Sequence, residues 1–270
     1  MKFSQRVGVR PPPTSGLEEA SESLRTALWN LTHLSVFPDS SDRAVEMRQN
    51  ARSIWDHIGW RTDTVRWQAH NNRELLAEYW FRCDWPEFFD LVEHIADILH
   101  QRNPTSGKWY SAFNAVLEAQ GCAYRFIGSQ LAPLTNRTEV AEVVAASESA
   151  IPAVATHIRD SIRFLPPNVE ISPRNSIKES ISAVEAALKN LSGNPSATFK
   201  DGLTAFEAKY GELHPSLRTG LLKLYGYTSD EKGIRHALID EAAEVSLDDA
   251  RFMLVACSAF ANYLVALSGS

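Results

Sequence analysis

The sequence has only three cysteines, Cys83, Cys122 and Cys257, in 270 residues. They are far apart, odd in number and form no CxxC pair, so neither a disulfide framework nor a zinc site is indicated. A reducing cytosol is the expected setting. Positive charge is not in excess: the net charge is −6, without the basic stripe of a protein that coats nucleic acid. That leaves room for a local grip on one phosphate. Long apolar runs are also missing. The start, Met1-Lys-Phe-Ser-Gln-Arg-Val-Gly8, lacks the run of a secretory signal. The longest apolar window, Phe252 to Leu267, contains Ser258 and Asn262 and falls short of the roughly 20 residues of a span. A cytoplasmic protein with no membrane partner is therefore expected.

Signature motifs are absent too. There is no G-x-x-x-x-G-K-[ST], no G-x-G-x-x-G after a strand, no H-E-x-x-H and no G-x-S-x-G. Phosphotransferase, dehydrogenase, metallohydrolase and serine-hydrolase chemistry has no support, and no metal or cofactor is expected. Arg52 and His57 satisfy an R-x4-H spacing, but residues five apart on a helix sit on different faces, so the match reads as chance.

What is present is mostly helix. Apolar residues recur at three- and four-residue spacing over Leu17–Leu34, Asp42–Ile58 (Asp42 as its cap) and Leu75–Cys83. Asp84-Trp-Pro-Glu87 starts a further helix, and Ser106–Gln120 ends at Gly121. Tyr124 to Leu134 alternates around a Gly-Ser turn and reads as one small β-hairpin, with Pro133 on an edge strand. Helices follow over Arg137–Ala146, Ile151–Phe164, Ile177–Leu191, Thr198–Tyr210 and Pro215–Leu224. Ser246-Leu-Asp-Asp249 is a capping box for the last helix, which ends near Leu267. All seven tryptophans, Trp29, Trp55, Trp60, Trp67, Trp80, Trp85 and Trp109, lie in the first part of the chain. At helical spacing they read as core rather than as a platform for bases. Their absence later suggests two modules, 1–165 and 166–270, punctuated at Leu165-Pro-Pro-Asn168.

One stretch stands out for chemistry. Tyr225 to Ala237 reads as a polar loop bracketed by Gly226 and Gly233, and it carries the adjacent pair Arg235 and His236. Asn262 lies among the apolar residues of the last helix and needs a hydrogen-bond partner.

The run Arg174-Asn-Ser-Ile-Lys-Glu-Ser-Ile-Ser-Ala-Val-Glu185, together with Leu224-Tyr-Gly-Tyr-Thr-Ser-Asp230, Gly233-Ile-Arg-His236 and Ala259-Phe-Ala-Asn-Tyr-Leu264, resembles bacterial proteins in which an AbiJ N-terminal domain 4 precedes a HEPN-type helical domain. Met1–Gly8, Leu28-Trp-Asn30 and the Tyr124–Pro133 hairpin resemble the N-terminal part. The resemblance implies a mostly α protein: an N-terminal helical domain over 1–165 with a hairpin near 123–134, and a HEPN-like bundle over 166–270. It implies an abortive-infection, phage-defence effector. HEPN domains usually dimerise, and active members cut RNA without a metal through an R-x4–6-H motif. An arginine stabilises the phosphorane and an imidazole moves the proton.

Here Arg235 is followed at once by His236, and positions 179–181 after Arg174 hold no histidine. The implied catalytic pair is Arg235 and His236. Arg174, Asn175, Lys178 and Tyr227 are the implied phosphate ligands, and Asp230, Glu231, Glu185 and Asn262 the orienting groups. RNA is the implied substrate, a homodimer through the C-terminal domain the implied assembly, and a nucleotide or phage-derived molecule the implied trigger. Two other readings stay open. One is a non-catalytic HEPN scaffold that binds a nucleotide, RNA or protein. In the other, these residues are structural: Lys178 and Glu185 pair across the bundle, and Arg235-His236 ties a loop to a helix end.

Overall fold

A computed structural model describes residues 16–102, 108–165, 173–229 and 245–269. Among these are eleven α-helices and one two-stranded sheet, so the fold is mostly α with one small hairpin. The chain divides into two compact units, residues 1–135 and 136–270.

In the first unit, α1 (Glu22–Val36) begins where the Ser21 hydroxyl accepts the Leu24 N–H, later than the expected Leu17. Helix α2 (Ala44–His57) is preceded by a 3-10 turn, Ser41–Arg43, and carries no side-chain cap; Asp42 lies in that turn instead of capping. Helix α3 (Ala69–Trp80) starts before the expected Leu75. Helix α4 (Trp85–Gln101) starts as its sequence signals, with the Asp84 carboxylate accepting the Glu87 N–H and Pro86 in the first turn. Helix α5 (Lys108–Ala119) leads through Gly121, at φ 64°, to the hairpin.

The core of this unit is aromatic. Trp55, Trp80, Phe37, Phe88, Phe113 and Phe126 are fully buried, and Trp80 meets Phe88 edge-on at 4.9 Å. Arg25 on α1 is buried among them. Its guanidinium donates to Trp80 O at 2.5 Å and Cys83 O at 2.9 Å, its Nε donates to Ala20 O at 3.0 Å, and its plane lies 4.4 Å from the Phe88 centroid. The Trp80 indole returns a hydrogen bond to Arg25 O. A cation thus closes the carbonyl end of α3.

The hairpin strands β1 (Arg125–Ile127) and β2 (Gln130–Ala132) pair antiparallel, with Phe126 opposite Leu131. Gly128 takes φ 59° in the turn. The outer edges are covered by helix side chains. Asn114 on α5 binds both the N–H and the C=O of Phe126, at 2.7 and 3.0 Å, and Glu93 on α4 accepts the Leu131 N–H. Polar side chains thus supply the partners that further strands would give.

The second unit contains α6 (Arg137–Ser147), α7 (Pro152–Arg163), α8 (Pro173–Ser192), α9 (Phe199–Tyr210), α10 (Pro215–Ser229) and α11 (Leu247–Leu267). Helix α8 is central and packs most extensively on α11 and α7, then on α9. Its seam of small residues, Ser176, Ser180, Ala183 and Ala187, is buried. Ser161 of α7 hydrogen-bonds to Ser176 Oγ and Ser180 Oγ at 3.0 and 2.7 Å on this side. Gly202 lets α9 approach α8: a Cβ there would lie 3.2 Å from Leu188 Cβ. The division falls after residue 135, whereas the sequence suggested 165. Helices α6 and α7 lie on the C-terminal side because their apolar faces pack on each other and on α8 and α11.

Two further differences concern the C-terminal helices. Helix α10 continues through Tyr225, Gly226 and Tyr227 to Ser229, so the expected loop is helical at its start. Helix α11 starts at the Ser246–Asp249 capping box, with both reciprocal bonds formed, and is 21 residues long. It is therefore long and apolar enough to cross a membrane by length and composition, with a mean hydropathy of 1.6. The expected window missed this because it began five residues later.

Glu93 gives the N-terminal unit a pH dependence. Burial lifts its carboxyl pKa from 4.5 to about 7, opposed by the Leu131 N–H and aided by Asp90 and Asp97. The folded chain therefore holds this proton more tightly than the unfolded chain. Stability contributed here is full below about pH 4.5, declines as pH rises to about 7, and is level above that. Glu93→Gln keeps the acceptor oxygen and removes the charge. In thermal melts from about pH 5 to about pH 8, the wild type should lose more melting temperature than the variant; equal losses would refute this account of Glu93.

Candidate functional site

The proposed phosphate ligands begin at the first turn of α8. Arg174 and Asn175 are half-buried there, and Lys178 is exposed one turn on. Helical spacing puts Arg174, Lys178, Glu185 and Lys189 on one stripe outside the buried arc of α8, with Asn175 about 100° round from Arg174. Glu185 is eleven residues beyond Arg174, about 16 Å along the axis, so it does not share a one-phosphate site with Arg174. Nor does it pair with Lys178: its carboxylate holds Lys189 Nζ at 2.8 Å.

Tyr227 sits in the last turns of α10, 47% exposed. Partial burial raises its phenol pKa and the Asp249 charge adds to the rise, so the ring lies near the start of α11. Asp249 is held below the usual carboxylate range by the Ser246 hydroxyl and backbone N–H. Asn262 has its partner: its amide donates to Glu142 O and Glu142 Oε2, both at 2.9 Å, and fastens α11 to α6. This contact supplies the hydrogen-bond partner that the sequence called for at Asn262. Arg235, His236, Asp230 and Glu231 lie outside the described residues.

A constellation that the sequence did not signal lies between α7 and α8. A groove of about 740 Å³ is lined by Pro152, His157, Ser182, Glu185, Lys189 and Asn190, with an apolar floor from Ile151 and Ala186. At its edge His157 Nδ1 meets Glu179 Oε2 at 2.7 Å. This contact fixes the ring and leaves Nε2 without a hydrogen-bond partner among the described residues. The groove therefore offers an imidazole, an ammonium paired to a carboxylate, a hydroxyl and an amide on an apolar base. Among the described residues no group of three or more His, Cys, Asp or Glu side chains is placed to hold a metal. His157 and Glu179 are 22 residues apart on separate helices, so no local spacing could have joined them.

The sequence model of AbiJ N-terminal domain 4 matches residues 1–149, more than half of the 270-residue chain. The chain belongs to this family. It is a protein of abortive-infection type, and the match takes in the whole aromatic unit with its hairpin. No curated protein and no solved structure matches.

The structural role of Asn262 is open to measurement. Asn262→Ala leaves Glu142 without its amide partner and should lower the stability by about 1–2 kcal/mol in urea unfolding. A loss of function without loss of stability would instead make Asn262 a site residue.

Proposed function

We propose that this abortive-infection protein is an effector whose C-terminal unit is a HEPN-like bundle that cleaves RNA without a metal. The observation that supports this most is the arrangement of α8. A helix with nine of its 20 residues buried turns Arg174 and Lys178 outward on one stripe, in a chain that carries an AbiJ N-terminal domain 4 over residues 1–149. Arg174, Asn175, Lys178 and Tyr227 bind the phosphodiester. His236, oriented by Asp230 and Glu231, takes the proton of the 2′-hydroxyl. That oxygen attacks the adjacent phosphorus, the bond to the 5′-oxygen breaks as that oxygen takes a proton from solvent water, and a 2′,3′-cyclic phosphate and a 5′-hydroxyl result. Arg235 stabilises the extra negative charge of the phosphorane.

The acting form is a homodimer in the cytoplasm, where its RNA substrate is. Phe252, Tyr263 and Leu267 support the dimer: all three are exposed on one side of α11, within an arc of about 60° by helical spacing. Arg235→Ala and His236→Ala should each reduce RNA cleavage by at least about 100-fold, with melting temperature and dimer mass unchanged. Wild-type protein that leaves every RNA intact, with or without nucleotides, would sink this reading.

The groove between α7 and α8 favours a second reading, a non-catalytic HEPN scaffold that binds a nucleotide trigger. Its volume of about 740 Å³ lies within the usual range of small-molecule sites. A phosphate would draw Lys189 away from Glu185, and His157 would face the base or sugar. A nucleotide from a panel of mono- and triphosphates should then raise the melting temperature of the wild type and not of Lys189→Ala. An identical response from both proteins would remove the groove from consideration.

A further inference from the structure

Most of the tryptophan in this chain is core, but Trp67 is 79% exposed. A tryptophan left in water forgoes the burial that makes the residue stabilising, so its position calls for another cause. The side chain is not on a loose segment. Asn72, fully buried, brackets the preceding residue: it accepts the Arg66 N–H at 2.8 Å and donates to Arg66 O at 3.0 Å, while its amide also reaches Met47 Sδ at 3.1 Å. The loop that presents Trp67 is thus tied to the core one residue before the indole. The guanidinium of Arg48, on α2, lies 4.3 Å from the ring centroid. One face of the indole is covered by a cation and the ring remains largely open to solvent.

Two further guanidinium groups lie beside Arg48 and the ring in sequence. Arg66 precedes the indole and Arg52 lies one turn beyond Arg48; both are exposed, and neither forms an ion pair among the described residues. Several other arginines of this unit are neutralised: Arg43 by Glu46, Arg61 by Asp63, Arg73 by Asp39 and Arg82 by Glu78. Arg48, Arg52 and Arg66, none of them in an ion pair among the described residues, thus lie on the loop that carries the ring and on the helix that touches it. An aromatic plane flanked by unneutralised guanidinium groups is the arrangement that binds single-stranded nucleic acid: a base stacks on the ring and the flanking phosphates take the cations. Val45, 61% exposed one turn before Arg48, is the apolar neighbour that a protein partner would use. One valine against three arginines leaves the balance with a polyanion.

We propose that Trp67, with Arg48, Arg52 and Arg66, forms a stacking platform by which the N-terminal unit binds a single-stranded polynucleotide. The platform shares no residue with those assigned to RNA cleavage and does not depend on that assignment.

The test is fluorescence anisotropy with a labelled oligouridylate and the matching oligothymidylate. The full chain would carry Arg235→Ala and His236→Ala, so that no cleavage intervenes. This background should bind either or both oligonucleotides, with affinity falling as salt rises. Adding Trp67→Ala should weaken binding roughly ten- to hundred-fold with the melting temperature unchanged, since the ring is outside the core. Trp67→Phe should retain most of the affinity, and Arg66→Ala or Arg52→Ala should each reduce the salt slope by about one. Oligonucleotide binding unaffected by Trp67→Ala would overturn the proposal, as would no binding at low salt. A Trp67→Ala variant that instead loses self-association, with oligonucleotide affinity intact, would assign the platform to protein docking and overturn it as well. If RNA cleavage fails its own test while these results hold, the platform stands and the ribonuclease reading falls.

Discussion

The C-terminal unit depends on how much of one helix has to be hidden. Helix α8 buries nine of its 20 residues, and they fall in two adjoining seams. One is small: Ser176, Ser180, Ala183 and Ala187. The other is large: Ile177, Ile181, Val184, Leu188 and Leu191. A small seam lets a neighbouring backbone come close, and α7 does so, with Ser161 satisfying the two buried hydroxyls it meets. A large seam must be covered by other apolar surface, which α11 and α9 provide alongside. What remains is an arc of about 200° by helical spacing, partly covered and partly open to solvent. Arg174, Lys178, Glu185 and Lys189 lie on one side of that arc and Glu179, bonded to His157, on the other, because a charge on the buried arc would be costly. The polar chemistry available to this unit is thus ordered by the burial of its centre.

The N-terminal unit has a different constraint, a buried cation. Arg25 is only 7% exposed, and a guanidinium in that setting is tolerable only when its donors are met. The carbonyls at the end of α3 are a ready supply, since the last turns of any helix leave acceptors unpaired. One arginine therefore joins α1 to α3, and the face of Phe88 brings in α4. A similar arrangement appears at the hairpin, where Asn114 and Glu93 complete the outer strand edges. Glu93 is burdened by this duty: it is held among Asp90 and Asp97 with little water, and burial makes its charged form costly.

Local signals in the sequence were read well where one or two residues decide the backbone. Asp84 before Trp-Pro-Glu, the Ser246–Asp249 box, Gly121 and the hairpin turn at Gly128 all appear where their chemistry put them. Decisions made by tertiary packing were not legible. Gly226 looked like the start of a turn, yet α10 runs through it because a helix interior tolerates one glycine at a modest cost. The punctuation at Leu165-Pro-Pro-Asn168 was plain, but which side α6 and α7 pack on is decided by surfaces distant in sequence. The site was legible in part. Arg174 and Lys178 could be placed on one stripe from spacing alone. The His157–Glu179 contact joins two helices, and the exposure of Trp67 runs against the expectation that the tryptophans are core; neither has a local signature.

Helix α11 is apolar for two reasons that composition alone does not separate. Its length and hydropathy fit a membrane span. A span must be apolar around its circumference, however, or hide its polar groups against other helices. In α11 the buried side contains Met253, Leu254, Cys257, Ala261 and Leu264, which pack in the bundle, and Asn262 is bonded to Glu142 on α6. Moving the helix into lipid would strip α8 of its largest cover and leave that amide to be satisfied elsewhere. The apolarity therefore has two sources: a core face, and an outward strip of Phe252, Tyr263 and Leu267. The proposed homodimer would set this strip of α11 against its own copy across a two-fold axis.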